Sequence, residues 1–489
     1  SDSGWADRIG PWQFDRYSQG LVITFYHGTF ENTVQVPEVF EEIPGVPVQG
    51  IAETFNGSDV KFITLPPSLL ELSPLAFFEC NLLSEIQIPA KIRSVGGSAF
   101  AGCTNLKTVA LLGNASLERS AFKNCGSLKS VFLSYSGTNP ISWGDSLFSG
   151  CAKLSQITIP VQVPSLPTSL FSGCASLTNV EARGALQRID IDAFRSCTSL
   201  TNLVFSNAVD TVVGVYGPDY DGAFQASGIT NLVFEKRVRS IGDAAFSKMP
   251  NLQSISFHEE IGSIPQVAFY DCPRLTTIEV GGGVQSLGSR AFEKCPSLTN
   301  INFYGGLKSI ETEALADAKQ LKTLILPPDL TNISTKAFLN CSGLEKLIFM
   351  GTNPPKVVNR SVFSGCRANV KIYYPKGAAS WSQYNQWWGF EAIPYSTNIE
   401  VAWPTVEPMQ SGQKLSEAIL TGGSARDAET GEKVSGTFSF EDPSFQPPGG
   451  DFATNLVFIP TLWYLGEQTR SVAFRVWTNI PVIQVPENL

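Results

Sequence analysis

The side chains able to do chemistry in this chain of 489 residues are few, and their spacing argues against most chemistry. There are two histidines, His27 and His258, and ten cysteines. A Ser-His-Asp arrangement needs an imidazole beside its nucleophile, and a closed zinc site needs four Cys or His ligands in paired spacing. His258 follows the alternating run Ile255-x-Phe257 and reads as a solvated residue, and no two cysteines stand in C-x-x-C spacing. Nucleophile-elbow, zinc-helix and glycine-rich phosphate motifs are missing as well. Glu259-Glu260 reads as a solvated turn, and Asp219 with Asp221 lack the remaining oxygen ligands that calcium requires. The expectation is a non-enzymatic chain with no catalytic residue, no metal and no cofactor.

What the cysteines do show is a period. Each stands three residues after an apolar anchor, as in Ala99-Phe100-x-x-Cys103, Ala121-Phe122-x-x-Cys125, Ala193-Phe194-x-x-Cys197 and Ala337-Phe338-x-x-Cys341. The anchors run Phe55, Phe77, Phe100, Phe122, Phe148, Phe171, Phe194, Phe224, Phe246, Phe269, Phe292, Leu315, Phe338, Phe363, mostly 22 or 23 residues apart. After each anchor comes an alternating run such as Leu83-x-x-Ile86-x-Ile88-Pro89 or Leu321-x-x-Leu324-x-Leu326-Pro327, which is strand behaviour. A further apolar residue, such as Val95, Leu117 or Ile310, precedes the next anchor. One unit is therefore a strand, a turn, a second short extended segment and a short helical or 3₁₀ turn carrying Ala-Phe. So small a unit cannot bury its own apolar face, so units must stack into a solenoid with a parallel sheet. Coils without Cys place Ser58, Ser227, Met249 or Ala318 at that position, so it demands a compact buried side chain and the cysteines read as free thiols.

Composition agrees. Charged residues make up only 16% of the chain against a usual figure of about 25%, and the net charge is −9, so no basic surface for nucleic acid is expected. No run of about 18 apolar residues is present to form a transmembrane helix. The opening Ser1-Asp-Ser-Gly, without Met or an apolar leader, reads as a trimmed or mature chain.

The template Leu-x-x-Ile-x-Ile-Pro-x-x-Leu-x-x-Ile-x-x-x-Ala-Phe-x-x-Cys resembles the BspA-like leucine-rich repeat family of bacterial surface proteins, over about residues 20 to 394. Val22 to Tyr26 and Thr33 to Pro37 are similar to that family's atypical first coil, and Ile372 to Ile393, with Trp381, Trp387 and Trp388, to its terminal cap. Beyond Ile393 the repeat stops, and short extended runs such as Gly436 to Phe440, Leu456 to Ile459 and Val472 to Val476 look like a bacterial Ig-like module. The expected fold is an α/β repeat solenoid, with a parallel β-sheet and short helical turns, followed by an all-β Ig-like sandwich. The expected divisions are 1–50 (N-terminal segment and first coil), 51–394 (solenoid and cap) and 395–489 (Ig-like). The resemblance implies an extracellular or outer-surface bacterial protein, free or lipid-anchored, that binds a protein or glycan of a host or neighbouring cell as a monomer. The alternatives are a glycan-binding accessory protein and a passive spacer that presents the Ig-like module.

Where a partner would bind follows from the strands. Their outward positions form a polar column, including Asn179, Asn202, Asn231 and Asn300, and a mixed column in which Phe132, Val204, Val233, Ile325 and Ile348 are apolar. Two long steps, Phe122 to Phe148 and Phe194 to Phe224, insert loops that carry Tyr135, Trp143, Tyr216 and Tyr220. The candidate ligand-binding residues are Phe132, Tyr135, Trp143, Val204, Tyr216, Tyr220 and Val233.

Overall fold

A run such as Glu85-Ile86-Gln87-Ile88 puts branched side chains on one face and polar ones on the other, which suits a half-buried strand. The computed structural model describes residues 7–30, 33–257, 261–280, 283–303, 305–395, 398–428, 431–461, 465 and 467–478; His258 and Glu259-Glu260 lie outside the described residues. In it Glu85–Ile88 is a strand with Ile86 and Ile88 buried and Glu85 and Gln87 exposed. The strands that follow, Thr108–Leu111 and Ser130–Leu133, lie parallel to it with like repeat positions opposite one another, Glu85 to Thr108 and Thr108 to Ser130. A second parallel series, including Glu71–Leu72, Ser94–Val95 and Ser116–Leu117, runs along another side of the coils. The architecture is a β-solenoid of parallel sheets with almost no helix. At its N-terminal end Asp7–Ile9, Trp12–Tyr17 and Gly20–Tyr26 form an antiparallel meander joined in parallel to Val48–Ile51, and Trp12 packs edge-on against the first anchor, Phe55, at 6.5 Å. The meander gives the first coil's core a cover that the stack itself cannot supply.

The anchors form a column. From Phe55 to Phe292 each ring packs on the next, with centroids 5.1 Å apart for Phe55–Phe77, 5.0 Å for Phe77–Phe100 and 6.0 Å for Phe148–Phe171; all are stacked but Phe171–Phe194, which is tilted by 33°. Leu315 interrupts the column, which resumes at Phe338–Phe363. Each such pair contributes about 0.5–1.5 kcal/mol beyond its buried area, so the column is a main source of inter-coil cohesion.

The expected helical turn around Ala-Phe is corrected. Only the last of these turns, Arg360–Phe363, is a 3₁₀ helix. At the anchors from Phe77 to Phe338, Phe224 apart, the residue two before has positive φ (Ser98 55°, Ser120 60°, Arg290 59°), and so does the residue two after it (Glu79 55°, Asn124 59°, Gly102 78°). Left-handed residues on both sides stop a right-handed helix from propagating. The amides of the turn bond across coils instead: Phe77 N–H donates to the Ala99 carbonyl at 2.7 Å, Phe100 to Ala121 at 2.8 Å and Phe269 to Ala291 at 2.8 Å. The backbone that a helix would satisfy internally therefore holds neighbouring units together.

The chain divides into two compact units. The first comprises residues 1–348, 354–371 and 388–390, which hold the solenoid. The second comprises residues 349–353, 372–387 and 391–489. Within the second, Trp381 is fully buried, stacks on Tyr374 at 5.4 Å, and donates its Nε1–H to the Gly351 carbonyl at 3.0 Å. Trp387 is buried beside it, which suits a hydrophobic cap better than a sugar platform. Further on, Gly436–Phe440, Gly450–Pro460 and Gln468–Trp477 form an antiparallel sheet over Met409, Leu415, Phe440, Leu456, Phe474 and Val476.

Candidate binding surface

The ten thiols are structural. All ten are free, and all but Cys366 are fully buried. Each donates to the carbonyl of the preceding coil's anchor, as Cys103 to Phe77 at 3.1 Å, Cys174 to Phe148 at 3.2 Å and Cys341 to Leu315 at 3.0 Å. Burial pushes Cys174 up to about 12 and Cys366 up to about 11. A thiol kept protonated is a poor nucleophile. Among the described residues no group of three or more His, Cys, Asp or Glu could hold a metal. Asp221 sits 4.0 Å from the Arg195 guanidinium.

The strand face differs column by column. The polar column bonds to itself: Asn231 Nδ2 donates to Asn202 Oδ1 at 3.0 Å, and Ser254 Oγ to Asn231 Oδ1 at 2.7 Å. The mixed column holds Phe132, 60% exposed, and Val204, 43% exposed, whereas Val233 and Ile325 are half-buried. Ile348, expected outward, is buried, because apolar neighbours along a column shade one another. Beside Phe132 opens a groove of about 680 Å³ lined by Gln156, Thr158, Val161, Glu181 and Arg183. Val161, also 60% exposed, is a residue the sequence reading missed. The signal for it was the preceding Pro160, which breaks the strand pattern. Thr158 Oγ1 donates to Glu181 at 3.3 Å and Arg183 Nε to the same carboxylate at 3.2 Å, so the groove has a polar, charge-paired side and an apolar side.

The loop aromatics do not join this surface. Trp143 is only 6% exposed; it packs edge-on against Phe148 at 5.8 Å and donates Nε1–H to Tyr135 Oη at 3.2 Å. Tyr135 in turn donates to the Ala115 carbonyl at 3.1 Å, and burial pushes its phenol up to about 12. This pair fastens the first insertion to the coil before it, so neither residue is the open aromatic contact that sequence reading expected. In the second insertion, Gly214–Val215 pairs with Asp221–Gly222 as a hairpin. Tyr220 packs against Tyr270 at 4.8 Å and accepts from Arg290 Nη1 at 3.3 Å, while Tyr216 remains 51% exposed. Tyr270, Lys248 and Arg290 all belong to Ala-Phe turns, so this hairpin lies on the turn side of the coils. The seven candidates thus separate into a strand-face set (Phe132, Val204, Val233), a fastening pair (Tyr135, Trp143) and a turn-side pair (Tyr216, Tyr220).

No helix among the described residues is long and apolar enough to cross a membrane. A leucine-rich repeat protein from Bacteroides ovatus is similar in structure, with TM-score 0.53 and 22% identity, covering 80% of this chain and 99% of its own. A leucine rich cell surface protein from Faecalibacterium prausnitzii is also 22% identical over 78% of this chain and 97% of its own, with TM-score 0.37. At these identities the likeness concerns the fold alone. No curated protein matches the chain. The BspA type leucine rich repeat region matches in six copies over residues 27–139, 115–214 and 220–345. With well over half of its length matched in this way, the chain belongs to the BspA-type leucine-rich repeat family.

Proposed function

We propose that the chain is a non-enzymatic bacterial surface protein that docks a macromolecular partner on its long-strand face. Proteins built on this repeat are typically bacterial surface proteins, and the present chain fits that setting. The observation that carries the reading is the exposure of Phe132 and Val161 beside one groove of that face. Exposed apolar area of this kind marks interaction sites. Residues 395–489 are assigned to an Ig-like module, residues 51–394 to the solenoid with its cap and residues 1–50 to the first coil, in a monomer at the outer surface. A glycan reading rests on the single open aromatic of the turn side, Tyr216. The test is a screen of the full chain against extracellular-matrix proteins, mucins and glycans. Saturable protein binding supports the proposal; binding confined to glycans and lost in Tyr216→Ala replaces it with the glycan reading; binding to nothing leaves a spacer.

A further inference from the structure

The charges of this chain are unevenly placed. Residues 318–390 hold nine Lys and Arg against two Asp and Glu, a net +7, in a chain whose overall balance is −9. A local excess of one sign within a chain of the other sign is a feature that an oppositely charged partner reads. Four of these cations, Lys346, Arg360, Arg367 and Lys371, lie where the stack ends. In the earlier coils each turn is closed by the one that follows. The last such bonds run from Phe338 N–H to the Val362 carbonyl at 3.0 Å and from Asn340 N–H to the Ser364 carbonyl at 2.7 Å. Phe363 is the last anchor, and its ring is met edge-on by Phe390 at 5.0 Å, after left-handed backbone at Trp388 (φ 54°) and Gly389 (φ 87°). Beside the two rings lies a pocket of about 470 Å³, lined further by Arg360, Ser361, Ser364, Cys366 and Arg367.

Each arginine of the pocket is placed by what surrounds it. Asn359 Oδ1 accepts from Ser361 N–H at 2.9 Å and starts the 3₁₀ turn Arg360–Phe363. A Cβ at Gly389 would stand 3.3 Å from Arg360 Nη2, so the glycine leaves the guanidinium room, and among the described residues that guanidinium has no acceptor. Arg367 donates Nε–H to the Ser342 carbonyl at 2.7 Å and Nη1–H to the Glu345 carboxylate at 3.5 Å. The Glu345 carbonyl accepts from Lys371 N–H at 2.9 Å, so the basic track runs on from the pocket to Lys371 and Lys346. These two lysines open their strands at the position that Thr108, Ser130, Asn179 and Asn202 hold in earlier coils. Guanidinium forks match the oxygens of an acid group, the serine hydroxyls match other hydroxyls, and the two rings match an apolar ring face. A sugar that carries an acid group has all three features. We infer that the end of the solenoid binds an acidic polysaccharide, with one carboxylate or sulfate held between Arg360 and Arg367 and further acid groups over Lys371 and Lys346. This site goes beyond the strand-face docking of a protein and does not depend on it.

The probes are fluorescein-labelled oligogalacturonate and dextran sulfate, each beside its neutral counterpart, methyl-esterified oligogalacturonate and dextran. The full-length chain is tested beside the double variant Arg360→Gln with Arg367→Gln, and beside Lys107→Gln with Lys129→Gln, which removes the same charge from exposed positions of other coils. The expected result is saturable binding of at least one acidic probe, whose identity separates carboxylate from sulfate. Binding should be at least about tenfold weaker for the neutral counterpart and for the arginine variant, since charge-assisted hydrogen bonds are lost. The lysine variant and Phe132→Ser should bind as the parent does, and the urea midpoint of the arginine variant should be native. In the parent chain, bound probe should slow the alkylation of Cys366, which lines the same pocket. Any one of five results would overturn the inference: no binding of either acidic probe, full binding by the folded arginine variant, an equal loss in the lysine variant or in Phe132→Ser, unslowed alkylation of Cys366, or an oligothymidylate or phosphatidylserine vesicles bound as tightly as the sugars.

Discussion

On the turn side of the coils, a phenyl ring, a thiol and two left-handed residues recur with little change from Phe55 to Phe292, and every thiol hydrogen and turn amide described above has a partner one coil away. On the strand face of the same coils, the outward side chains change from Gln87 to Phe132 to Glu181 to Val204, and among the described residues the backbone ladder is interrupted, as between Ser130–Leu133 and Gln156–Ile159. The comparison teaches that cohesion and recognition have been assigned to different sides of one repeat. The thiols and turn amides of the repeated side are taken up within the stack. The irregular side carries exposed apolar groups such as Phe132 and Val161, and loses little stability by having them.

The sharpest way to break this comparison is to cut the phenyl column. Phe194→Ala should cost about 3–5 kcal/mol, read from urea unfolding, because it removes a fully buried ring flanked by two others. A loss below 1 kcal/mol would mean that the column is not the source of cohesion. Next, Cys174→Ala removes one of the two hydrogen bonds to the Phe148 carbonyl, which keeps that from the Cys151 N–H, and should cost about 1 kcal/mol.

The same thiols give a pH signature. Burial raises two of them from 9.0, Cys174 to about 12 and Cys366 to about 11. Folding therefore favours the protonated form, and this contribution is complete below pH 9 and disappears as pH rises from there towards pH 12. The urea midpoint should stay level up to about pH 8 and fall above pH 9 through this linkage, and a level midpoint to pH 11 would contradict it. Ten thiols should react under denaturant, whereas in the native chain Cys366 should react first.

Smaller effects sharpen the boundary between the two sides. Tyr135→Phe unpairs the Trp143 N–H and the Ala115 carbonyl, and should cost about 1–2 kcal/mol without touching ligand affinity, since both residues fasten a loop. At the small end, Phe132→Ser should change stability by less than about 0.5 kcal/mol, because the ring is already in water.

Much of the solenoid was legible because stacking forces like positions together, so the spacing of Phe, Cys and Leu reports the fold directly. The helical turns were misread for a local reason. Serine, arginine and glutamate at Ser98, Arg290 and Glu79 carry no mark of left-handed geometry, which inter-coil bonding imposes on them. The exposure of Phe132 and Val204 was legible from strand alternation alone, since outward positions follow from period two. Trp143 was misplaced because an aromatic in an insertion can either face solvent or close over the core, and only the position of Phe148 and Tyr135 decides which. Val161 was legible in principle through Pro160, which ends the alternation of Ile157 and Ile159.

The account's central claim, that the strand face recognises and the turn side holds, is tested most directly by the variant with Phe132, Val204 and Val233 all changed to serine. Its affinity for whichever protein the full chain captures in the screen would be measured alongside its urea midpoint. The account predicts at least about tenfold weaker binding with nearly native stability, as expected when exposed anchors of an interface are removed. A folded variant that binds as tightly as the parent would contradict it.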